Sequence, residues 1–191
     1  MGQIAAHIRD QVRARGRMVM TIRVNGRELT ADEIEPMLAA PAADFARIDF
    51  VTTEPHDMVL EILRQARGAL AESDDVRRRV ADQIAAGRVA EAMRELGDCL
   101  AVWGTTHEAV TKSAELLQIE LNSMQVDGRS AMERMGRVAD QLRGLRDALS
   151  AGDLVLTTDI LRYDMAETLA EWERVLAGLA GHVVVRAPVG V

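Results

Sequence analysis

Several residue types are scarce in this chain of 191 residues, and each scarcity excludes certain structural features. No proline lies between Pro55 and Pro188, so that stretch holds no residue that obliges a long helix to break. Cys99 is the only cysteine, which excludes an internal disulfide and a multi-thiolate metal site and favours a reducing compartment. Aromatic residues make up only 3% of the chain, so aliphatic side chains must fill the core.

Membrane, nucleic-acid and catalytic signatures are also missing. No run approaches the roughly 20 apolar residues of a membrane span, and the N-terminus lacks the apolar core of a signal peptide, so we expect a cytoplasmic protein. The net charge of −7 argues against binding to nucleic acid. None of the four histidines lies three residues after a glutamate, as a di-iron bundle requires. We expect no catalysis, metal, cofactor or small-molecule substrate.

What is present is an apolar repeat at helical spacing. The clearest example alternates steps of four and three residues, as expected of a helix that buries one face, and runs through Val89, Met93, Leu96, Leu100, Trp103, His107, Val110, Ala114, Leu117, Leu121 and Met124. The same reasoning predicts four long helices, joined in part by a loop at 122–128, over residues 55–86, 88–121, 130–150 and 153–180.

Two Ala-Gly pairs predict tight joints between these helices. Gly87 and Gly152 each follow the last periodic residue of a helix, where glycine commonly ends the helix in a left-handed conformation. Because so short a connection forces neighbouring helices to run antiparallel, we predict an antiparallel four-helix bundle over residues 53–181. The fold class is therefore mainly α, or α+β when the N-terminal residues are included.

Residues 1–52 carry the pattern of a small α+β unit. We predict helices over 3–15 and 31–39 and strands over 18–24, 27–29 and 46–52. Asn25-Gly26 is a strong signal for a type I′ hairpin, and Thr30 with Glu33 is a capping box that opens the second helix. Residues 182–191 form an apolar tail, too short for a helix, that either frays or adds a strand to the small sheet.

Polar and reactive groups on the helices are expected to serve packing or solvation. The carboxylates of Asp74 and Asp75 are adjacent in sequence and diverge on a helix, which predicts a solvated face. Cys99 is expected to be a small core residue. His107 lies on the apolar seam, where we expect a partly buried histidine that is bonded to a neighbour or snorkels to solvent.

Residues 50–180 resemble the flagellin-specific export chaperones in outline. Residues 51–60 are similar to the segment that leads into the first helix of that family, residues 84–87 to the end of that helix, and residues 152–172 to its last hairpin. The Leu-Tyr-Asp-Gly patch of the family is replaced here by Leu63-Arg64-Gln65-Ala66. The whole chain also resembles an uncharacterised bacterial family, through the segment from Asp153 to Tyr163. The first resemblance implies a bundle that binds a helix of another protein.

Apolar side chains outside the predicted seams indicate where a partner could bind. We take six as candidate partner-binding residues: Leu116, Ile119, Leu156, Ile160, Leu169 and Leu176. Such a second stripe needs a cover, which is the α+β unit, a second copy or a foreign helix. We expect a non-catalytic binding module, a secretion or flagellar chaperone or adaptor that holds an amphipathic segment. The alternative is a self-associating structural protein.

Overall fold

The computed structural model describes residues 1–186, and the chain divides into two compact units, Met1–Met58 and Val59–Val191. The first unit contains two helices and a three-stranded antiparallel sheet in the order β2-β1-β3. In chain order its elements are α1 (Gly2–Ala14), β1 (Met18–Val24), β2 (Arg27–Glu28), α2 (Ala31–Ala39), a 3-10 turn (Ala42–Asp44) and β3 (Ile48–Thr53). This confirms the predicted α+β character of the N-terminal residues.

Local sequence signals account for the first unit. Asn25 and Gly26 both have positive φ, 50° and 84°, as a type I′ turn requires, and they join β1 to β2. Thr30 and Glu33 form the predicted capping box at the start of α2. Hydrogen bonds from Arg27 and from the Thr30 backbone lower the pKa of Glu33 to about 2. The third strand begins at Ile48, two residues later than predicted.

The second unit is helical, and its helices follow the predicted plan. Residues 59–186 contain most of α3 (Pro55–Ala85), then α4 (Val89–Leu116), a short hairpin of β4 (Gln125–Val126) and β5 (Arg129–Ser130), and α5 (Ala131–Ala151). A last helix is made of α6 (Leu154–Asp159), a π-helical turn (Ile160–Asp164) and α7 (Met165–Arg186). Gly87 and Gly152 have φ of 79° and 68°, which confirms both predicted joints.

Side-chain contacts show that neighbouring helices run antiparallel. Trp103 Nε1 on α4 donates to Ser73 Oγ on α3 at 3.2 Å. Nearer the α3–α4 joint, Arg79 Nε donates to Glu95 Oε2 at 2.8 Å. The last helix meets α3 near the same end of the bundle, and α7 packs along α5.

The buried face of α4 is rotated from the predicted seam. Leu96, Trp103, Val110 and Ala114 are buried as predicted, but elsewhere on α4 the buried residue lies one position before the predicted one. The residues buried there are small, which lets α4 approach its neighbours closely: Ala92, Cys99, Thr106 and Ser113. This rotation leaves His107 exposed, so of the two predicted arrangements the structure agrees with a side chain that reaches solvent and not with a partly buried one; its ring lies 6.0 Å from the Trp172 ring in an edge-on arrangement.

Two predicted helix ends are wrong. The second long helix ends at Leu116 instead of 121, and residues 125–130 form a hairpin where we predicted a loop, because Asp127 and Gly128 both adopt positive φ. The last helix continues through Gly181 to Arg186, since no proline lies before Pro188. Residues 182–186 are therefore helical and not part of a tail. The remainder of the predicted tail, 187–191, lies outside the described residues.

Candidate partner-binding surface

The six residues predicted to bind a partner do not form one exposed stripe. Ile119, Ile160 and Leu176 are buried, and Leu169 is half-buried against the core. Leu116 and Leu156 are exposed, at 42% and 47% of their surface. The stripe is broken because Ile119 lies beyond the end of α4 and because the π-helical turn changes the helical phase between residues 159 and 165. Their role in binding stays a prediction.

An apolar groove lies between α4 and α5. It has a volume of about 410 Å³ and is lined by Leu100, Gly104, Leu142, Leu145, Arg146, Leu149 and Ser150. Leu145 is buried, whereas Leu100, Leu142 and Leu149 are half-buried and so retain surface for a further contact. We call this surface the α4–α5 groove.

The groove follows from the rotation of α4 and from one glycine. Because small residues of α4 turn inward, Leu100 is left at the edge of the bundle. Gly104 lies one turn further along, and no heavy atom comes within 4 Å of the place where its Cβ would be. On α5, Leu142, Leu145 and Leu149 are spaced by three and four residues, so they share one face. The missing side chain at position 104 therefore keeps the groove open.

A second apolar surface lies in the first turn of α6. Leu154, Val155 and Leu156 are exposed at 39%, 75% and 47% of their surface. Asp153 caps this turn, because its side chain accepts a hydrogen bond of 2.9 Å from the Leu156 backbone amide. The turn follows the end of α5, where Leu149 lines the α4–α5 groove, across the Gly152 joint. We call residues 154–156 the apolar turn.

A buried ion pair lies against the π-helical turn. Arg77 Nε and Nη2 donate to Asp74 Oδ1 at 2.8 Å and 2.6 Å, and both side chains are almost fully buried. Arg77 Nη1 also donates to the backbone carbonyls of Leu161 and Arg162, the latter at 3.2 Å. The prediction of a solvated face is therefore wrong for Asp74, whereas the Asp75 side chain is 79% exposed.

This ion pair supplies hydrogen-bond donors to the widened helical turn. In a π-helical turn each backbone hydrogen bond spans five residues, one more than in an α-helix, and the turn here comprises Ile160–Asp164. Arg77 supplies donors to two carbonyls of this turn, and Asp74 balances its charge. The network thereby connects α3 with the last helix at the π-helical turn. No sequence signal predicted this contact, because the partners lie more than eighty residues apart.

A second buried network holds the β4–β5 hairpin on α5 and α7. Arg134 Nε donates to the Val126 carbonyl at 2.9 Å, and its guanidinium pairs with Glu171. Glu171 also accepts from Arg174 at 3.1 Å. A polar cleft of about 280 Å³ between α5 and α7 includes Glu171 in its lining. The carboxylate of Glu171 in this cleft is therefore held by arginines.

We also looked among the described residues for side chains that could bind a metal ion and for a reactive thiol. Among residues 1–186, no three side chains of His, Cys, Asp or Glu are grouped closely enough to hold a metal ion. Burial raises the pKa of the Cys99 thiol, which disfavours the reactive thiolate. None of the helices described has the length and apolar content to cross a membrane.

Comparison with known proteins shows which family the sequence matches. The sequence model of a family described as a domain of unknown function, DUF8042, matches residues 61–175. An uncharacterised protein of Treponema pallidum (strain Nichols) is 22% identical over 171 residues, which cover 90% of this chain and 84% of the relative. No solved structure matches the chain. The predicted resemblance to an uncharacterised bacterial family is thus confirmed, and the resemblance to export chaperones stays a prediction.

Proposed function

The chain belongs to the DUF8042 family, and from the surface of its helical unit we propose that it is a non-catalytic binding module. It holds an apolar helical segment of another protein in the α4–α5 groove. The observation that carries this proposal is the groove itself, in which three half-buried leucines flank an open glycine. The groove, the apolar turn and Arg77 all lie within residues 61–175, the part of the chain that defines the family.

The dimensions of the groove suit a short helix. Leu142 and Leu149 are seven residues apart on α5, which corresponds to about 10 Å, or two helical turns. A helix that enters such a groove contacts it through apolar residues at positions i, i+3 or i+4, and i+7. Covering an exposed leucine fully is worth roughly 1.5–3 kcal/mol, so completing the burial of three half-buried leucines contributes a few kcal/mol.

The polar residues at the groove indicate the character of the bound segment. Arg146 and Ser150 are exposed beside the leucines, so the segment has a polar face that stays in contact with water. An amphipathic helix meets both requirements. We therefore place the protein among cytoplasmic chaperones or adaptors, and the likeness of residues 51–60 to flagellin export chaperones favours a partner in bacterial secretion or motility.

The buried charges support a binding role over a catalytic one. Asp74 is held by Arg77 and Glu171 by Arg134, so both buried carboxylates are engaged in ion pairs. Neither pair lines the α4–α5 groove. The groove lining contains no acidic residue or histidine that could serve as a base, and its one hydroxyl, Ser150 Oγ, donates to the Arg146 carbonyl at 2.8 Å.

Gly104→Leu tests this function, because it fills the groove without disturbing the fold. Position 104 is helical and has open space around it, and leucine favours a helix by roughly 1 kcal/mol over glycine. We expect full-length tagged protein expressed in its own host to retain a partner, and the Gly104→Leu variant to lose that partner. Quantitative mass spectrometry of the retained proteins measures the difference.

Gly68→Leu is the matched control. Gly68 lies on α3, away from the groove, and also has no heavy atom within 4 Å of a Cβ position. The control should retain the partner as the unaltered protein does, and thermal melting should show both variants folded. Equal retention of every bound protein on all three forms would contradict the proposed function.

A further inference from the structure

We propose that two copies of this chain cover one another's α4–α5 groove in the absence of a partner. The apolar turn of each copy, Leu154–Val155–Leu156, occupies the groove of the other. This inference rests on the groove of the proposed function. It adds that a second copy of the chain occupies the groove and competes there with the partner.

The exposure of the apolar turn is the first observation behind this inference. Three consecutive apolar side chains are exposed at 39%, 75% and 47% of their surface at the start of a helix. Single exposed apolar residues are ordinary, whereas three apolar residues exposed within one helical turn are typical of an interaction surface. Aliphatic side chains of this size suit a groove of about 410 Å³ lined mainly by leucine.

The position of the turn beside the groove is the second observation. Leu149 and Ser150 form one end of the groove, and the apolar turn begins four residues after Ser150, across the Gly152 joint. A two-fold dimer requires each copy to present both halves of the contact on one surface, since residue i meets residue j and j meets i. A turn and a groove that adjoin in one chain meet this requirement.

Charge is complementary between the two surfaces. The groove lining contains Arg146, with its side chain 68% exposed, and no acidic residue. Residues 152–159, which include the apolar turn, contain Asp153 and Asp159, both exposed, and no basic residue. Arg146 is paired with Asp147 within its own chain at 2.7 Å, and its exposure leaves it accessible to Asp153 of a second copy.

A dimer of this kind regulates binding by competition. A partner helix and the apolar turn of a second copy would occupy the same groove, so a partner would convert dimer to monomer. The free protein would thereby keep its leucines covered until a partner is present. Raising the protein concentration should weaken partner binding, because self-association depends on concentration.

Sedimentation equilibrium of the full chain with two variants tests the inference. We expect a reversible dimer at tens of micromolar for the unaltered protein. Val155→Asp removes apolar surface from the turn, and an acidic residue is favourable in the first turn of a helix, so the variant should fold and be monomeric. Gly104→Leu blocks the groove and should also be monomeric. Val185→Asp, at a site 85% exposed near the end of α7, should leave the dimer unchanged.

Mixing the two monomeric variants distinguishes this contact from any other. The Val155→Asp chain retains an open groove and the Gly104→Leu chain retains its apolar turn, so a mixed dimer has one of its two contacts intact. Recovery of dimer in the mixture, and not in either variant alone, is the expected result. A strict monomer in the unaltered protein at tens of micromolar, a dimer that survives Val155→Asp, or no recovery on mixing would each overturn the inference.

Partner capture separates this inference from the proposed function. Val155→Asp leaves the groove open, so it should retain the partner as well as or better than the unaltered protein. If the unaltered protein never dimerises but Val155→Asp still captures the partner, self-association is refuted and the proposed function is not. Loss of capture in Val155→Asp would contradict the competition that the dimer implies.

Discussion

Arg77 connects two parts of the helical unit, α3 and the last helix. Its guanidinium is buried between α3 and the last helix, where it meets one carboxylate and two backbone carbonyls. A buried ion pair of this kind contributes little net stability compared with apolar packing, but losing one partner leaves the other charge buried and uncompensated. Removing Arg77 would therefore leave the carboxylate of Asp74 buried without its partner.

We predict that Arg77→Met destabilises the protein by about 3–5 kcal/mol, because Asp74 and the carbonyls of the π-helical turn lose their donors. Urea unfolding followed by circular dichroism measures this cost. Arg78→Met is the matched control: Arg78 also pairs with Asp74, but its side chain is 65% exposed, so its loss should cost no more than about 1 kcal/mol. Similar small costs for both variants would show that Arg77 does not support the turn.

At this scale the sequence predicted the identity of many core residues but not the polar groups among them. Leu96, Trp103 and Val110 could be found because apolar spacing is a local property of the chain. Asp74 could not, because its burial depends on Arg77 and on a helix more than eighty residues away. Other small residues that α4 buries were missed for a related reason. Thr106 and Ser113 carry no apolar signal, yet they let helices approach closely, whereas the burial of Cys99 was predicted.

At the scale of the helices, glycine residues determine where one helix ends and the next begins. Gly152 ends α5 with φ of 68°, its amide donating to the Leu149 carbonyl at 3.1 Å. A residue with a Cβ is strained in this conformation, and a β-branched residue is the most strained. The joint places the apolar turn directly after the α4–α5 groove, so it also determines the surface that we propose for binding.

We predict that Gly152→Val lowers the melting temperature by several degrees, because valine at positive φ costs more than about 1 kcal/mol. Gly144→Val serves as the control. Gly144 lies inside α5, is exposed and has no heavy atom near a Cβ position, so its replacement should change the melting temperature little. Thermal melting followed by circular dichroism compares the two. A Gly152→Val protein that melts with the unaltered one would mean that the joint tolerates a side chain.

Element boundaries were predictable where a stop signal is local. The two Ala-Gly joints and the Asn25-Gly26 hairpin were found because the backbone demands glycine or asparagine there. Asp127-Gly128 is the same kind of signal and could have revealed the second hairpin. The continuation of α7 past Gly181 follows from the absence of proline before residue 188, since an exposed glycine inside a helix costs only about 1 kcal/mol.

For the whole molecule, composition and periodicity were sufficient to predict a mainly α chain with a small N-terminal sheet. They could not predict the α4–α5 groove, which depends on how far α4 is rotated and on which neighbour lies beside Gly104. The predicted stripe assumed an uninterrupted α-helix, and the π-helical turn changes which residues share a face of that helix. Of the six predicted residues, Leu156 lies in the apolar turn that we now assign to an interface.

We propose that the α4–α5 groove is occupied by protein in the cell, either by a partner or by a second copy. Site-specific photo-crosslinking tests it whatever the identity of the occupant. A photoreactive side chain placed at position 104 should form a defined cross-linked adduct on irradiation of living cells, and the same side chain at position 68 should not. No adduct from position 104, or adducts of equal yield from both positions, would contradict the account.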